Sequence, residues 1–209
     1  MIKHNLRRAA SVSIVLLTLL LVSAQLGRAA ENALKPPTVD YSGDMITEAS
    51  GTTRTSKVFH SGDKTRTEMQ SPGHSSVSIM DRSKMEAINL DPAKKTYIKM
   101  DLSKLGVAQE PSAMNDFKTT LQGKETINGV ETSKYLYEGT TNGADIKGAV
   151  WVTKDNIPVR NEGTVVTGGN SISVASHLDN LKVEKQDSTL FEVPAGYTAR
   201  EMPGPRGRP

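Results

Sequence analysis

Residues 53–70, TRTSKVFHSGDKTRTEMQ, contain the pattern that decides the fold of this chain. Two runs rich in Thr, Val and charged residues, Thr53–His60 and Lys64–Gln70, are separated by Ser61-Gly62-Asp63. Residues of this kind favour extended backbone, and a short break containing Gly between two such runs is typical of a β-hairpin. The stretch therefore predicts two antiparallel strands joined by a tight turn.

The same pattern repeats along most of the chain, with a turn signal roughly every ten residues and no domain linker. The chain contains further turn signals at Ser50-Gly51, Ser71-Pro72-Gly73, Asp81-Arg82-Ser83, Asp91-Pro92, Asn128-Gly129, Lys154-Asp155-Asn156 and Gly168-Gly169. We expect a mainly β (α+β) fold: a curved antiparallel sheet, or incomplete β-barrel, of about 10–11 strands with one or two short helices.

One segment departs from the strand pattern and predicts a short helix over residues 112–121. Met114, Phe117 and Leu121 are spaced three and four apart, which places them on one helical face. Ser112 is a suitable N-cap, and Gly123 can end the helix.

The last strand and the C-terminal segment carry two more signals. Apolar residues change parity near Asp179-Asn180, which predicts a bulge or sharp bend in that strand. Asp187 can cap a single helical turn, and Phe191 can then pack under the sheet.

The first thirty residues predict a secretory signal peptide. Basic residues precede an apolar run, Ile14–Val22, and small residues follow it; Val22-Ser23-Ala24 and Gly27-Arg28-Ala29 both fit a cleavage site, whereas Arg28 argues against a cut after Ala30. The run is short for a membrane span, although an uncleaved anchor stays open. We expect a signal peptide at 1–30, an extended lead-in at 31–38, a single half-barrel domain at 39–199 and a disordered tail at 200–209.

Charge and composition exclude several classes of function. Without the four basic residues of positions 1–30, the chain has 22 basic and 23 acidic residues, a formal net charge of −1. No basic face for nucleic acid is therefore expected. The chain has no Cys, so it has no disulfide, no thiolate ligand and no lipoprotein anchor. We expect a periplasmic or secreted monomer that contacts a membrane surface at most transiently.

No motif for catalysis or metal binding is present. The histidines after the signal peptide, His60, His74 and His177, are far apart and lack ligand-type neighbours at metal-site spacings. No Ser lies in a G-x-S-x-G elbow, and no Gly-rich loop leads into a helix. We expect no catalytic residue, no metal and no cofactor; an unrecognised hydrolase is the weakest alternative.

Two sets of side chains have both a binding and a structural interpretation. Arg54, Lys64 and Arg66 lie on neighbouring predicted strands and could form a cationic mouth for an anionic head group, or simply a solvated face. Seven methionines follow the signal peptide, and such adaptable side chains suit either a cavity for acyl chains or a core poor in aromatics.

Five segments in order resemble the LolA/LolB-like superfamily of bacterial periplasmic proteins, in particular an uncharacterised exported branch. They are SGDKTRTEM (61–69), SIMDRSKMEAINLDPAKKTYIKMDL (78–102), GKETINGVETSKYLYEG (123–139), GAVWVTKDNIPVRNEGTV (148–165) and LFEVPAGY (190–197). The resemblance spans Val39 to Tyr197. It implies an incomplete, strongly curved barrel whose apolar concave face can hold acyl chains of lipids or lipoproteins.

We therefore expect a non-enzymatic periplasmic protein that binds a lipid, a lipoprotein acyl chain or another apolar ligand. The alternative is an interaction or structural module whose concave face binds a protein partner or its own tail. The candidate lining residues are Tyr41, Met45, Phe59, Met80, Ile88, Tyr97, Tyr135, Tyr137 and Trp151.

Overall fold

The computed structural model describes residues 35–71, 73–105, 117–141 and 143–201. The predicted signal peptide and most of the predicted tail lie outside these residues. The strands are β1 (Tyr41–Ala49), β2 (Thr52–Ser61), β3 (Lys64–Ser71), β4 (His74–Asp81), β5 (Glu86–Asp91), β6 (Thr96–Asp101), β7 (Lys118–Ile127), β8 (Val130–Thr141), β9 (Ala144–Thr153), β10 (Pro158–Thr167), β11 (Asn170–Val183) and β12 (Thr198–Ala199).

All twelve strands form one sheet, in the order β12-β6-β5-β4-β3-β2-β1-β11-β10-β9-β8-β7. Two antiparallel meanders, β1–β6 and β7–β11, are joined where β1 pairs with β11. β12 adds to the edge of β6 as a two-residue parallel strand. The sheet does not close into a barrel. The predicted fold class is confirmed, with one more strand than expected because the C-terminal residues pair with the edge.

The predicted bulge in the last long strand is confirmed. Ser42 pairs with Lys182 and Asp44 with Asp179, so β11 has one residue more than β1 between these pairs. Asn180 takes the left-handed backbone conformation that the bulge requires, with φ 51°. The extra residue puts Leu178 and Val183 on the same face despite their opposite parity.

The predicted helix is wrong where the structure describes it. Residues 118–121 begin strand β7, and Leu121 pairs with Tyr135 of β8; residues 106–116 lie outside the described part. Backbone pairing with β8 overrides the three- and four-residue spacing, because Phe117 and Leu121 of the predicted helical face also have the parity of one face of a strand. The described helical turns are 3-10 helices, at Leu102–Leu105 and Ser188–Phe191.

The strand register divides the side chains between two faces, because residues paired across antiparallel strands point to the same side. We call one side the tyrosine face, since it carries Tyr41, Tyr135 and Tyr137. The opposite side is the tryptophan face, which carries Trp151, Phe59 and Tyr97.

The tryptophan face of β3–β6 is covered by the C-terminal strap, residues 186–199. Phe191 is buried against a cluster of apolar residues of the sheet, which contains Val77, Ile79 and Leu90 and is extended by Phe59, Ile88 and Tyr97. Arg66 Nη1 donates to the carbonyl oxygen of Leu190 at 2.8 Å. Asp187 caps the turn before Phe191, accepting from the Thr189 N–H at 2.9 Å, as predicted.

Phe191→Ala is expected to lower the free energy of unfolding by about 3–4 kcal/mol, because it removes the main apolar anchor of the strap. Urea unfolding followed by Trp151 fluorescence measures this loss. Val183→Ala, at an exposed position near the start of the strap, is the control and should change stability by less than about 0.5 kcal/mol. A similar small change for Phe191→Ala would show that the strap contributes nothing to the fold.

Candidate functional site

An open cavity of about 1160 Å³ lies at the end of the sheet that carries the β1–β2 turn. Its lining extends from β2 across β1, β11, β10, β9 and β8 to β7. A single cavity spanning seven neighbouring strands requires the sheet to curl around it. The side chains that enter it, assigned from the register, belong to the tryptophan face, beside the part that the C-terminal strap covers.

Two cross-strand rows form the floor of this cavity. The apolar row consists of Leu136, Ala149 and Ala175, with Glu162 between the two alanines. The charged row, one step nearer the β1–β2 turn, consists of Lys118, Glu138 and Lys147. Leu136 is 42% exposed although it is apolar, so the floor offers uncovered hydrophobic surface.

Trp151 lies on β9 two residues from Ala149, on the side of the apolar row that is farther from the β1–β2 turn. The ammonium of Lys134 lies 4.7 Å and the guanidinium of Arg160 4.9 Å from its ring. The indole N–H donates to Glu125 Oε2 at 2.7 Å. This hydrogen bond, followed by one from Lys134, lowers the pKa of Glu125. Trp151 is thus covered by its neighbours, with 3% exposure, and holds the sheet together here.

The structure divides the nine predicted lining residues between the two faces. Phe59, Ile88 and Tyr97 pack under the C-terminal strap. Trp151 packs against Lys134 and Arg160. The other five are on the tyrosine face: Tyr41, Met45, Met80, Tyr135 and Tyr137. Of the nine, only Tyr137 borders the cavity. Their predicted ligand-lining role stays a prediction.

Tyr137 shows why two glycines stand in the middle of the sheet. Its side chain is buried on the tyrosine face, and its hydroxyl donates to Asn161 Oδ1 at 2.9 Å. Burial raises the pKa of Tyr137. A Cβ at Gly163 would lie 2.5 Å from the Tyr137 hydroxyl oxygen, and at Gly148 2.2 Å from the Glu162 carbonyl oxygen. The ring therefore needs the space that both glycines leave.

Gly163→Ala is expected to destabilise the fold by about 2 kcal/mol, because the new methyl group overlaps the Tyr137 hydroxyl. Tyr137→Phe removes that hydroxyl, after which the next atom is Lys147 O at 3.3 Å. When Tyr137→Phe is already present, the alanine should cost less than about 1 kcal/mol. Chemical denaturation of the four proteins of this cycle measures the coupling; additive effects would contradict the contact.

The predicted cationic residues are not brought together. Arg54 lies on the tyrosine face, opposite Thr47, whereas Lys64 and Arg66 lie on the tryptophan face. The Nε of Arg66 contacts Glu68 Oε1 at 2.7 Å and its Nη1 binds the strap. The lysines that border the cavity are instead Lys118 and Lys147. Lys118 and Lys147 lie on different strands, so no local pattern in the sequence predicted that they are close. The pairing of β7, β8 and β9 places them in one row.

A buried pair, His60 and Tyr41, lies on the tyrosine face at the opposite end of the sheet. The rings stack with centroids 5.1 Å apart, and His60 Nδ1 is 3.2 Å from Thr65 Oγ1. The His60 Nε2 is buried and has no hydrogen-bond partner within the described part of the chain. Burial, with the charge of Arg82, lowers the pKa of His60 to about 4 despite the opposing charges of Asp40 and Asp63. Burial also raises the pKa of Tyr41 to about 12.

His60 should make the fold less stable in acid. Because its folded pKa lies below the unfolded value of 6.5, the unfolded chain binds more protons between about pH 6.5 and pH 4. Stability is complete above that window and falls through it, on the order of 2 kcal/mol. His60→Phe, which keeps a ring against Tyr41, should lack this part of the pH dependence. Parallel stability–pH curves for both proteins would contradict the assignment.

The described residues carry no arrangement for metal chemistry. No group of three His, Cys, Asp or Glu side chains within them is placed to hold a metal ion. Among the described residues, the helices are all too short or too polar to span a membrane. The cavity offers hydrophobic surface on its floor and charges of both signs beside it.

Several solved structures share this fold. An uncharacterised conserved protein from Thermus thermophilus aligns with a TM-score of 0.53 and 12% identity, over 79% of this chain and 91% of that one. MucB aligns with a TM-score of 0.51 and 10% identity, over 76% of this chain and 58% of MucB, so this chain spans less than two thirds of MucB. The neighbours include, as the sequence predicted, a LolA superfamily protein from Nitrosomonas europaea, with a TM-score of 0.39, 9% identity and coverage of 76% and 92%.

Sequence comparison gives a narrower result. No curated protein matches this chain in sequence. One family model matches residues 44–161, which is more than half of the chain and extends from β1 into β10. The chain therefore belongs to the family described as "Domain of unknown function (DUF4412)".

Proposed function

We propose that this protein binds, without chemical conversion, the acyl portion of a lipid or lipoprotein. The observation that carries the proposal is the open cavity of about 1160 Å³ with exposed Leu136 on its floor. Ligand pockets in proteins measure about 300–1,000 Å³, so this one is large enough for a sizeable guest.

The dimensions of the floor fit a lipid tail. Leu136 and Ala175 stand three strands apart, and at about 4.8 Å per strand the apolar row is about 14 Å long. One tail spans half of a hydrocarbon core that is about 30 Å thick, hence about 15 Å. A tail laid across the strands would therefore cover the whole row.

The size of the floor side chains also supports this proposal. Ala149 and Ala175 are small, so they leave a depression beside the larger Leu136. Glu162 lies between them in the row, but its carboxylate binds Arg160 Nε at 2.9 Å, on the side towards Trp151. Each methylene group that leaves water for this surface contributes about 0.8 kcal/mol.

A second candidate, a polypeptide partner, is favoured by one observation. The same tryptophan face already accommodates a polypeptide, since the C-terminal strap lies on it with Phe191 buried. The cavity could receive a comparable segment of another protein. An acyl guest is preferred because the apolar residues of the floor, Leu136, Ala149 and Ala175, form a row across the strands and not a pocket for one aromatic anchor.

The proposed place of action is the periplasm or another extracytoplasmic compartment. The charged start, apolar run and small residues of positions 1–30 support it. There, a ligand with an acyl chain would be available at membrane surfaces, and transient contact with the membrane would be enough for loading.

Leu136→Glu should abolish most of the binding, because it places a charge on the apolar floor. We expect the purified protein to release about one equivalent of lipid on solvent extraction, and to bind a fluorescent fatty acid in titration. For Leu136→Glu the affinity should fall at least about tenfold.

Leu121→Glu is the matched control. Leu121 is 48% exposed on the neighbouring strand but on the tyrosine face, and its variant should bind like the wild type. A wild-type protein that carries no lipid and binds no fatty acid would overturn the proposal and leave a polypeptide partner as the better candidate. Turnover of ester substrates in a hydrolase screen would contradict the non-catalytic assignment.

A further inference from the structure

We infer that the ligand has an anionic head group, a carboxylate or a phosphate, bound by Lys147 and Lys118 at the β7–β9 end of the cavity. This inference rests on the proposed function, because it assigns the polar end of the same guest. It also fixes a direction: the head lies over the charged row, and the tail crosses the apolar row towards β1.

The charged row has an excess of positive charge. Glu138 stands between Lys118 and Lys147 on the central strand of three, and the Lys118 ammonium is 3.7 Å from its carboxylate. One carboxylate thus faces two ammonium groups. Lys147 borders the cavity, is exposed, and has no ion pair within 4.0 Å among the described side chains. Its ammonium is therefore available to an anion of the ligand.

The other acidic groups of the cavity do not cancel this charge. Glu162 is engaged by Arg160, which lies beside it on the same strand. Glu48 lies on β1, three strands from Lys147, or about 14 Å at the usual strand spacing. A positive end at β7–β9 and a negative end at β1 together favour one orientation of an anionic amphiphile and disfavour the reverse.

The flexible lysine side chains suit the binding of an anionic head group better than a rigid cation would. A Lys side chain lays its methylene groups along apolar surface while the ammonium stays in water. Lys147 is two residues from Ala149 on the same face of β9, so its stem can follow the ligand. The ammonium recognises charge more than shape, which admits both a carboxylate and a phosphate.

The test compares an anionic probe with a neutral one of the same tail. A fluorescent fatty acid and its methyl ester are titrated into the wild type, Lys147→Gln and Lys147→Glu. The acid should bind about fivefold more weakly to Lys147→Gln and at least about twentyfold more weakly to Lys147→Glu, while the ester affinity stays within about twofold. Lys124→Glu, which alters an exposed lysine paired with Glu131 outside the cavity, should bind both probes like the wild type.

Competition with a single-chain lysophosphatidic acid distinguishes the two head groups: stronger displacement than by a fatty acid of equal length assigns a phosphate, and weaker displacement a carboxylate. Equal losses of acid and ester affinity in Lys147→Glu, or no loss of either, would overturn the head-group assignment alone. A wild type that binds neither probe would instead contradict the proposed function, and the assignment with it.

Discussion

The pairing of β1 with β11 is the contact on which the rest of the structure depends. Each meander could form from hairpins alone, but only this pairing joins them into one sheet. Its partners are more than 120 residues apart in the chain, as in the pair of Ala49 with Val174, so forming it costs loop-closure entropy. The contacts around it offset that cost: Tyr41 and Leu178 share one buried cluster with residues of both meanders.

This pairing also determines which side chains enter the cavity. The cavity floor contains residues from both meanders, with Glu48 and Thr53 from the first and Leu136 from the second. A register shift of one residue between β1 and β11 would move every side chain of one meander to the opposite face. The bulge at Asn180 confines the irregularity to the end of β11 that is farther from the cavity, so the floor rows continue across the junction.

The sequence was sufficient for most of the strands and turns, but not for β7, for β12 or for the two faces of the sheet. Turn residues such as Asn128-Gly129 act locally, and the structure has them where the sequence predicted. Nothing in the sequence distinguishes Leu136 as a lining residue, because alternation alone does not say which face is covered. The cover comes from the C-terminal strap, which turns Phe59 and Ile88 from lining candidates into packed core. The helix predicted through Leu121 failed for a similar reason, since pairing with β8 is a non-local interaction.

The two parts of the tryptophan face differ in how their apolar surface is covered. Over β3–β6 the face is strongly apolar, and the chain covers it with its own Phe191. Over the cavity the floor combines small and polar side chains with the exposed Leu136, whose apolar surface stays open to solvent. The strap thus leaves the cavity floor uncovered, and on the proposed function a guest would gain its free energy there by burying its own apolar surface. On the proposed function, binding and release of an acyl ligand would then need no unfolding of the sheet.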